Sequence, residues 1–267
     1  MGMSWRFLRQ GQSAANAVAS LDGLLNGLKN VARQDPSLHA SSYLMWAENA
    51  ETQLRAHFDD QEPWRGLHTE RYWRIRAISD ETLRPHPMIE GEVADQELTL
   101  ETLRKQLLHY QKILTVAADE RLFLIDTNAL IHGSLFTQVR WSEHVSEKQV
   151  RLIMPLIVLD ELDGQKNKGN HEAGGVLREL DKLLPAGEAL SLTRVRDNVT
   201  LQIVDEPTAH ERIGNADDEI VHQAGYFASH CSNRITIVTM DRAMRVRAEA
   251  ARIPVLMLPA ELRRAKE

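Results

Sequence analysis

Through roughly the first 118 residues, apolar positions recur at three- and four-residue spacing, the mark of helices that bury one stripe. Val18, Leu21, Leu25, Leu28 and Val31 predict a helix over about 14–33. Asp35-Pro36-Ser37 stops it, because proline lacks the amide hydrogen that a helix interior requires. Tyr43, Trp46, Ala50 and Leu54 predict a second helix over about 38–58. Residues 62–66 read as a loop and 70–78 as a short aromatic helix with Tyr72, Trp73 and Ile75. Residues 86–95 carry the proline, glycine and acids of a flexible surface loop. Leu100, Leu103, Leu107, Tyr110 and Leu114 then predict a helix over about 98–118.

The pattern changes at Arg121. Leu122-Phe123-Leu124-Ile125 is short, continuous and apolar, as in a strand buried on both faces of a parallel sheet. Further strands are expected at 151–154, 199–205, 234–239 and 254–258. Helices are expected from Pro155 and over 172–184, 217–229 and 242–251. Alternating strands and helices imply a parallel, five-stranded α/β sheet with right-handed crossovers. The chain therefore divides into an all-α N-terminal domain, 1–118, and an α/β domain, 119–267.

Composition narrows the setting. Cys231 is the only cysteine among 267 residues, so an intramolecular disulfide is excluded and a reducing, cytoplasmic location is expected. No apolar run reaches the roughly 20 residues of a membrane span, and residues 1–10 lack the apolar core of a signal peptide. A net charge of −6 rules out a generally basic, polyanion-coating protein, leaving local patches to hold any nucleic acid. There is no HExxH, CxxC, Walker-type glycine loop, GxGxxG or GxSxG, which removes the usual zinc, nucleotide and serine-hydrolase readings.

Acids recur at equivalent places in the α/β units. Asp126 ends the first strand, and Glu161 lies in the helix after the second. Asp217 and Asp218 open a later helix, and Asp241 follows the strand Ile235-Thr236-Ile237-Val238-Thr239. Singly, each has a plain reading as a helix cap or a solvated charge. Together they fall on one edge of a parallel sheet, where open α/β folds place ligands. Carboxylates gathered there would repel and take up protons unless a hard divalent cation joined them, and Mg²⁺ or Mn²⁺ suits oxygen ligands.

Four segments carry a resemblance. They are Leu124-Ile125-Asp126-Thr127-Asn128-Ala129-Leu130-Ile131-His132, Met154-Pro155-Leu156-Ile157-Val158-Leu159-Asp160-Glu161-Leu162-Asp163, Asp217-Asp218-Glu219-Ile220 and Val238-Thr239-Met240-Asp241-Arg242. In this order, residues 121–258 resemble a PIN domain, and are most similar to the PIN domains of PhoH-type proteins. The N-terminal helices resemble no assigned family, and no ATPase module follows. The resemblance implies a metal-dependent endoribonuclease acting on single-stranded or loop RNA. It gives Asp126, Glu161, Asp217 and Asp241 the catalytic role, with Asp218 as a further metal ligand and Asn128 and Thr239 as polar neighbours. Lys166, Lys168, Arg242 and Arg245 stand near these acids as candidate phosphate contacts.

Rival readings fit less well. A response-regulator receiver needs an acid pair after its first strand, and Ile125-Asp126-Thr127 has one acid. A haloacid-dehalogenase-type phosphatase needs an acid two residues after its nucleophile, where this chain has Asn128. A non-catalytic PIN-like module that binds RNA or protein is the stronger rival. The N-terminal helices are expected to recruit a protein partner or to self-associate.

Overall fold

A computed structural model describes residues 5–78, 86–145, 147–184, 187–208, 210–232 and 234–263. The chain forms two compact units. One is Arg6–Lys112; the other joins Ile113–Glu267 to the Met1–Trp5 segment, of which Trp5 is described. Trp5 thus belongs with the C-terminal unit rather than with the residues that follow it.

In the first unit, α1 (Ala14–Ala32) begins at Ser13, whose Oγ accepts from the Asn16 amide at 3.2 Å. It buries Val18, Leu21, Leu24, Leu25, Leu28 and Val31, and α2 (His39–His57) buries Tyr43, Trp46, Ala50 and Leu54. Between α2 and α4 (Glu70–Ala77) the expected loop contains a one-turn helix, α3 (Glu62–Arg65), with Pro63 tolerated in its first turn. The expected loop at 86–95 is instead the start of α5 (His86–Leu114). Pro87 is accommodated at a helix start, and burial of Ile89, Val93 and Leu100 outweighs the roughly 1 kcal/mol cost of Gly91. Two polar residues on the buried stripe, Glu92 and Gln96, hid its periodicity. They are paired inside: Glu92 Oε1 accepts from Tyr43 Oη at 2.9 Å, Thr69 Oγ1 at 2.8 Å and Gln96 Nε2 at 3.0 Å.

The second unit is an α/β sandwich. Its strands are β1 (Glu120–Ile125), β2 (Gln149–Pro155), β3 (Thr193–Arg196), β4 (Val199–Val204), β5 (Ile235–Thr239) and β6 (Val255–Met257). The sheet has six strands in the order β3-β4-β2-β1-β5-β6, rather than the expected five. The extra strand β3 pairs antiparallel with β4, while the other pairings are parallel. It was missed because Thr-Arg-Val-Arg is short and polar. Such a charged edge strand is a common way to discourage edge-to-edge association.

Helices α6 (Thr127–His132), α7 (Trp141–His144), α8 (Leu156–Asn167), α9 (His171–Leu183), α10 (Ala216–His230) and α11 (Arg242–Ala250) complete the unit. Leu122, Phe123, Leu124 and Ile125 are at most 3 % exposed, and each such side chain contributes roughly 1.5–3 kcal/mol relative to exposure. Strand order reverses at β1, which lies between β2 and β5, so the crevice beyond β1 and β5 is the switch point of the sheet. Among the described residues, no helix is long and apolar enough to cross a membrane. Cys231 is buried, and desolvation raises its thiol to about 11, so it stays protonated.

The opposite edge of the sheet carries a buried ion pair. Arg151 on β2 grips Glu120 on β1 through both carboxylate oxygens, at 2.8 and 2.7 Å, and donates to the Ile113 carbonyl at 2.9 Å. The two side chains are only 9 % and 10 % exposed. Removing one partner of such a pair strands the other charge. Glu120→Ala is therefore expected to lower the unfolding free energy by about 3–5 kcal/mol. The double variant Glu120→Leu/Arg151→Met should recover most of that loss in urea unfolding. A Glu120→Ala loss below about 1 kcal/mol would place this pair with weak surface bridges.

Candidate functional site

Each acid reaches the sheet edge by a local structural rule. β1 ends when the Asp126 amide donates to the Val238 carbonyl at 3.1 Å, and Asp126 becomes the N-cap of α6. Its Oδ1 accepts from the Ala129 amide at 2.6 Å, while Oδ2 accepts from the Thr239 hydroxyl at the end of β5. Glu161 lies in α8, where its Oε2 accepts from the Thr127 hydroxyl at 2.5 Å. Asp241 caps α11, with Oδ1 accepting from the Ala243 and Met244 amides at 2.5 and 3.1 Å. Asn215 caps α10 and places Asp217 and Asp218 in its first turn.

These elements enclose a cleft of about 200 Å³ lined by Asp126, Glu161, Asp217 and Asp241. The four acids expected at one edge are therefore brought together. Asn128 also lines the cleft, and Thr239 touches it through Asp126. Asp218 does not line it. Its carboxylate accepts from Arg247 Nε at 2.8 Å and Asn215 Nδ2 at 2.8 Å. Of the expected phosphate contacts, Lys166, Lys168 and Arg242 are exposed and line no part of the cleft. Arg245 lies 3.7 Å from Glu249 along α11. Lys166 is in the last turn of α8, and the chain leaves the helix at Lys168 and Gly169, where a φ of +89° at Gly169 suits glycine.

Sequence reasoning passed over several lining residues. His132 follows Asn128, and Gln165 follows Glu161, by one helical turn, so each shares a face with a residue already singled out. Asn170 reaches the cleft while capping α9, and Ile131 and Ile220 supply apolar wall. Arg247 follows Asp241 along α11, as Arg242 and Arg245 do. It bridges Asp217, at 3.1 Å, and Asp218. The signal was its position on the helix that Asp241 caps, but nothing in the spacing specified an acidic partner.

The electrostatics follow from burial. Asp126 is 3 % exposed, and its carboxyl is pushed up to about 7. Desolvation is the chief cause, opposed by the Thr239 and Ala129 hydrogen bonds and reinforced by Asp217 and Asp241. Asp217 is also raised, first by desolvation; Arg247 opposes this while Asp241 and Asp218 add to it. Anionic oxygens around a part-buried cleft are suitable donors for a hard divalent cation. Among the described residues, however, no three His, Cys, Asp or Glu side chains are grouped to hold a metal ion. The donor chemistry fits Mg²⁺ or Mn²⁺; its spacing is not that of a closed cage.

A family model described as PIN domain matches residues 123–258, just over half of the chain. No curated protein matches. Among solved structures, the chain is similar to a domain of a functionally unknown protein from Methanocaldococcus jannaschii, at 22 % identity and a TM-score of 0.36. That similarity covers 55 % of this chain and 94 % of the other.

The Asp126 environment sets a pH dependence. Its carboxyl would titrate near 3.9 in the unfolded chain and titrates at about 7 in the fold. Between those values the folded state holds the extra proton, so the contribution to stability is full below about pH 4 and is lost as pH rises through 7. In chelator-treated protein, Asp126→Asn should gain on the wild type by up to about 1.4 kcal/mol per pH unit between pH 5 and 7, and level off above. Urea unfolding of both proteins at pH 5, 6, 7 and 8 measures the difference. A difference independent of pH would mean that Asp126 is ionised throughout.

Proposed function

This chain belongs to the PIN-domain family, and from that premise we propose that it is a metal-dependent endoribonuclease that hydrolyses phosphodiester bonds of single-stranded or loop RNA. One observation carries the reading: carboxylates from four separate elements meet in one cleft at the switch point of the sheet. Structural caps have no reason to share a cavity, and there desolvation first, with repulsion between the acids adding to it, raises both Asp126 and Asp217. A cost of that kind is typical of functional sites.

In this reading Asp126, Glu161, Asp217 and Asp241 hold Mg²⁺ or Mn²⁺, with Asp218 contributing beside Asp217. A bound divalent ion supplies a water nucleophile at neutral pH and offsets charge on the departing oxygen. The chain's own groups set the stage for that chemistry. Thr239 and the Ala129 amide fix Asp126, and Thr127 fixes Glu161, so neither carboxylate has to reorganise. Arg247 restrains Asp217 and Asp218 and tempers their charge. Asn128, His132, Gln165 and Asn170 offer hydrogen bonds to phosphate or ribose oxygens. Lys166, Lys168, Arg242 and Arg245 lie on or next to the helices that carry Glu161 or follow Asp241, where they serve an RNA backbone against the net charge of −6.

Two observations favour a second reading, a PIN-like module that binds RNA or protein without cutting. Arg247 already neutralises part of the acid cluster, and no trio of acids is closed on a common point among the described residues. The two readings differ in what a divalent ion does to the folded protein. Mn²⁺ at a hundredfold excess over its Kd should stabilise a specific binder by about 2.7 kcal/mol. Wild type should show that gain in thermal melts and should cut a short unstructured RNA, with EDTA abolishing both. Asp126→Asn should lose both responses, because a neutral amide is a poorer ligand for a hard ion. Tight RNA binding without cleavage, and melts indifferent to Mn²⁺, would establish the binding module instead.

A further inference from the structure

Outside the cleft, a buried carboxylate is enclosed almost entirely by hydrogen-bond donors. Glu219, in the first turn of α10, is 0 % exposed. Its Oε2 accepts from the Ile213 amide at 2.8 Å, and its Oε1 from Gln223 Nε2 at 2.7 Å. His210 Nε2 lies 2.9 Å from Oε1 and the indole Nε1 of Trp5 lies 3.3 Å from it. Burial opposes the charge, but the Ile213, Gln223 and His210 hydrogen bonds outweigh it and hold this carboxyl below its usual range.

Trp5 is the unexpected member, 214 positions away in sequence. Its indole is 1 % exposed and packs on Tyr226 and Phe227, with ring centroids 4.7 and 5.6 Å apart. Its Nε1 also lies 3.1 Å from His210 Nε2, but that nitrogen cannot both accept from Trp5 and donate to Glu219. A hydrogen on Nε2 favours the charge-assisted bond to Glu219 and leaves the partnerless Nδ1 as a bare acceptor rather than a stranded N–H. The indole N–H is then directed to Glu219.

Glu219 anchors the segment that leads from β4 into α10. Beside Ile213, Arg212 pairs with Glu206 at 2.9 and 3.0 Å and with Asp160 at 2.6 Å, and Asp160 adjoins Glu161. Gln223 links Glu219 to Glu206 at 3.2 Å. Three residues beyond His210 comes the anchored Ile213 amide, and four beyond that comes Asp217. We infer that Trp5 is a positioning residue for the acidic cleft: its indole completes the donor shell of Glu219, which fixes the 210–219 turn that carries Asp217 and Asp218. The latch stands on contacts alone, whereas its effect on the cleft rests on the cation-binding reading given above.

The test uses full-length Trp5→Phe, which keeps an aromatic ring against Tyr226 and Phe227 but removes the donor. Trp141→Phe is the control, since Trp141 is equally buried in the same unit and donates to the Phe136 carbonyl at 3.1 Å, away from the cleft. Amide hydrogen exchange in EDTA reads the latch, Mn²⁺ titration reads the cleft, and cleavage of a short RNA gives kcat and KM. Trp5→Phe should speed exchange selectively at the Ile213, Asp218 and Glu219 amides. It should weaken Mn²⁺ binding by roughly 10- to 100-fold, as loss of outer-sphere support does, and lower kcat more than KM. Trp141→Phe should do none of these. Wild-type exchange at those amides in Trp5→Phe, faster exchange across the whole sheet, or unchanged Mn²⁺ affinity would each overturn the positioning role. If the wild type itself neither binds Mn²⁺ nor cuts RNA, the nuclease reading fails and the exchange result alone decides the latch.

Discussion

A carboxyl group carried into a low-dielectric interior raises the energy of its charged form unless something nearby compensates. Asp126 is in that position at the end of a central strand, and much of the C-terminal unit is arranged around it. Two donors from its surroundings, the Ala129 amide and the Thr239 hydroxyl, recover part of the cost, while Asp217 and Asp241 increase it. The Thr239 hydroxyl has two roles, since its oxygen also accepts from the Asp241 amide at 2.9 Å. One hydroxyl thus ties the ends of β1 and β5 together at the place where strand order reverses.

The fold adds rigidity where the chemistry would need it. The acids are held at helix starts or on a helix, next to strands that are fully covered, so backbone geometry is set by packing rather than by the acids themselves. Compensation is uneven, however. Arg247 accompanies Asp217 and Asp218, Thr127 accompanies Glu161, and Asp126 has no cation beside it in any described contact. The most buried carboxylate of the cleft is therefore the one most responsive to an added positive charge.

How much of this was legible in the sequence differed by element. The β1 run and its terminal Asp126 were readable because a doubly buried strand has a continuous apolar signature and a cap has a preferred residue type. Convergence of Glu161, Asp217 and Asp241 followed from topology, which puts strand ends and helix starts on one edge. β3 was not legible, because a polar edge strand owes its conformation to its neighbour, not to its own pattern. The start of α5 was missed for the opposite reason: a buried Glu92 breaks the apolar rhythm, and its partners Tyr43 and Thr69 are distant in sequence. Arg247 and Trp5 share that difficulty. Their roles are defined by tertiary partners, and local spacing contains no record of them.

The Trp5 contact also bears on the order in which the molecule can assemble during synthesis. The indole is made well before its partners Glu219, Tyr226 and Phe227. At about 5–20 residues per second, the 214 positions from Trp5 to Glu219 take roughly ten to forty seconds to translate. Over that interval Arg6–Lys112 has its whole sequence available and can close on its own core, while the segment ahead of it waits for a socket not yet synthesised. Trp5 is consequently placed only after the chain has been made through Phe227. A chain interrupted before Glu219 leaves that tryptophan uncovered, and exposed apolar surface of this kind is prone to aggregation.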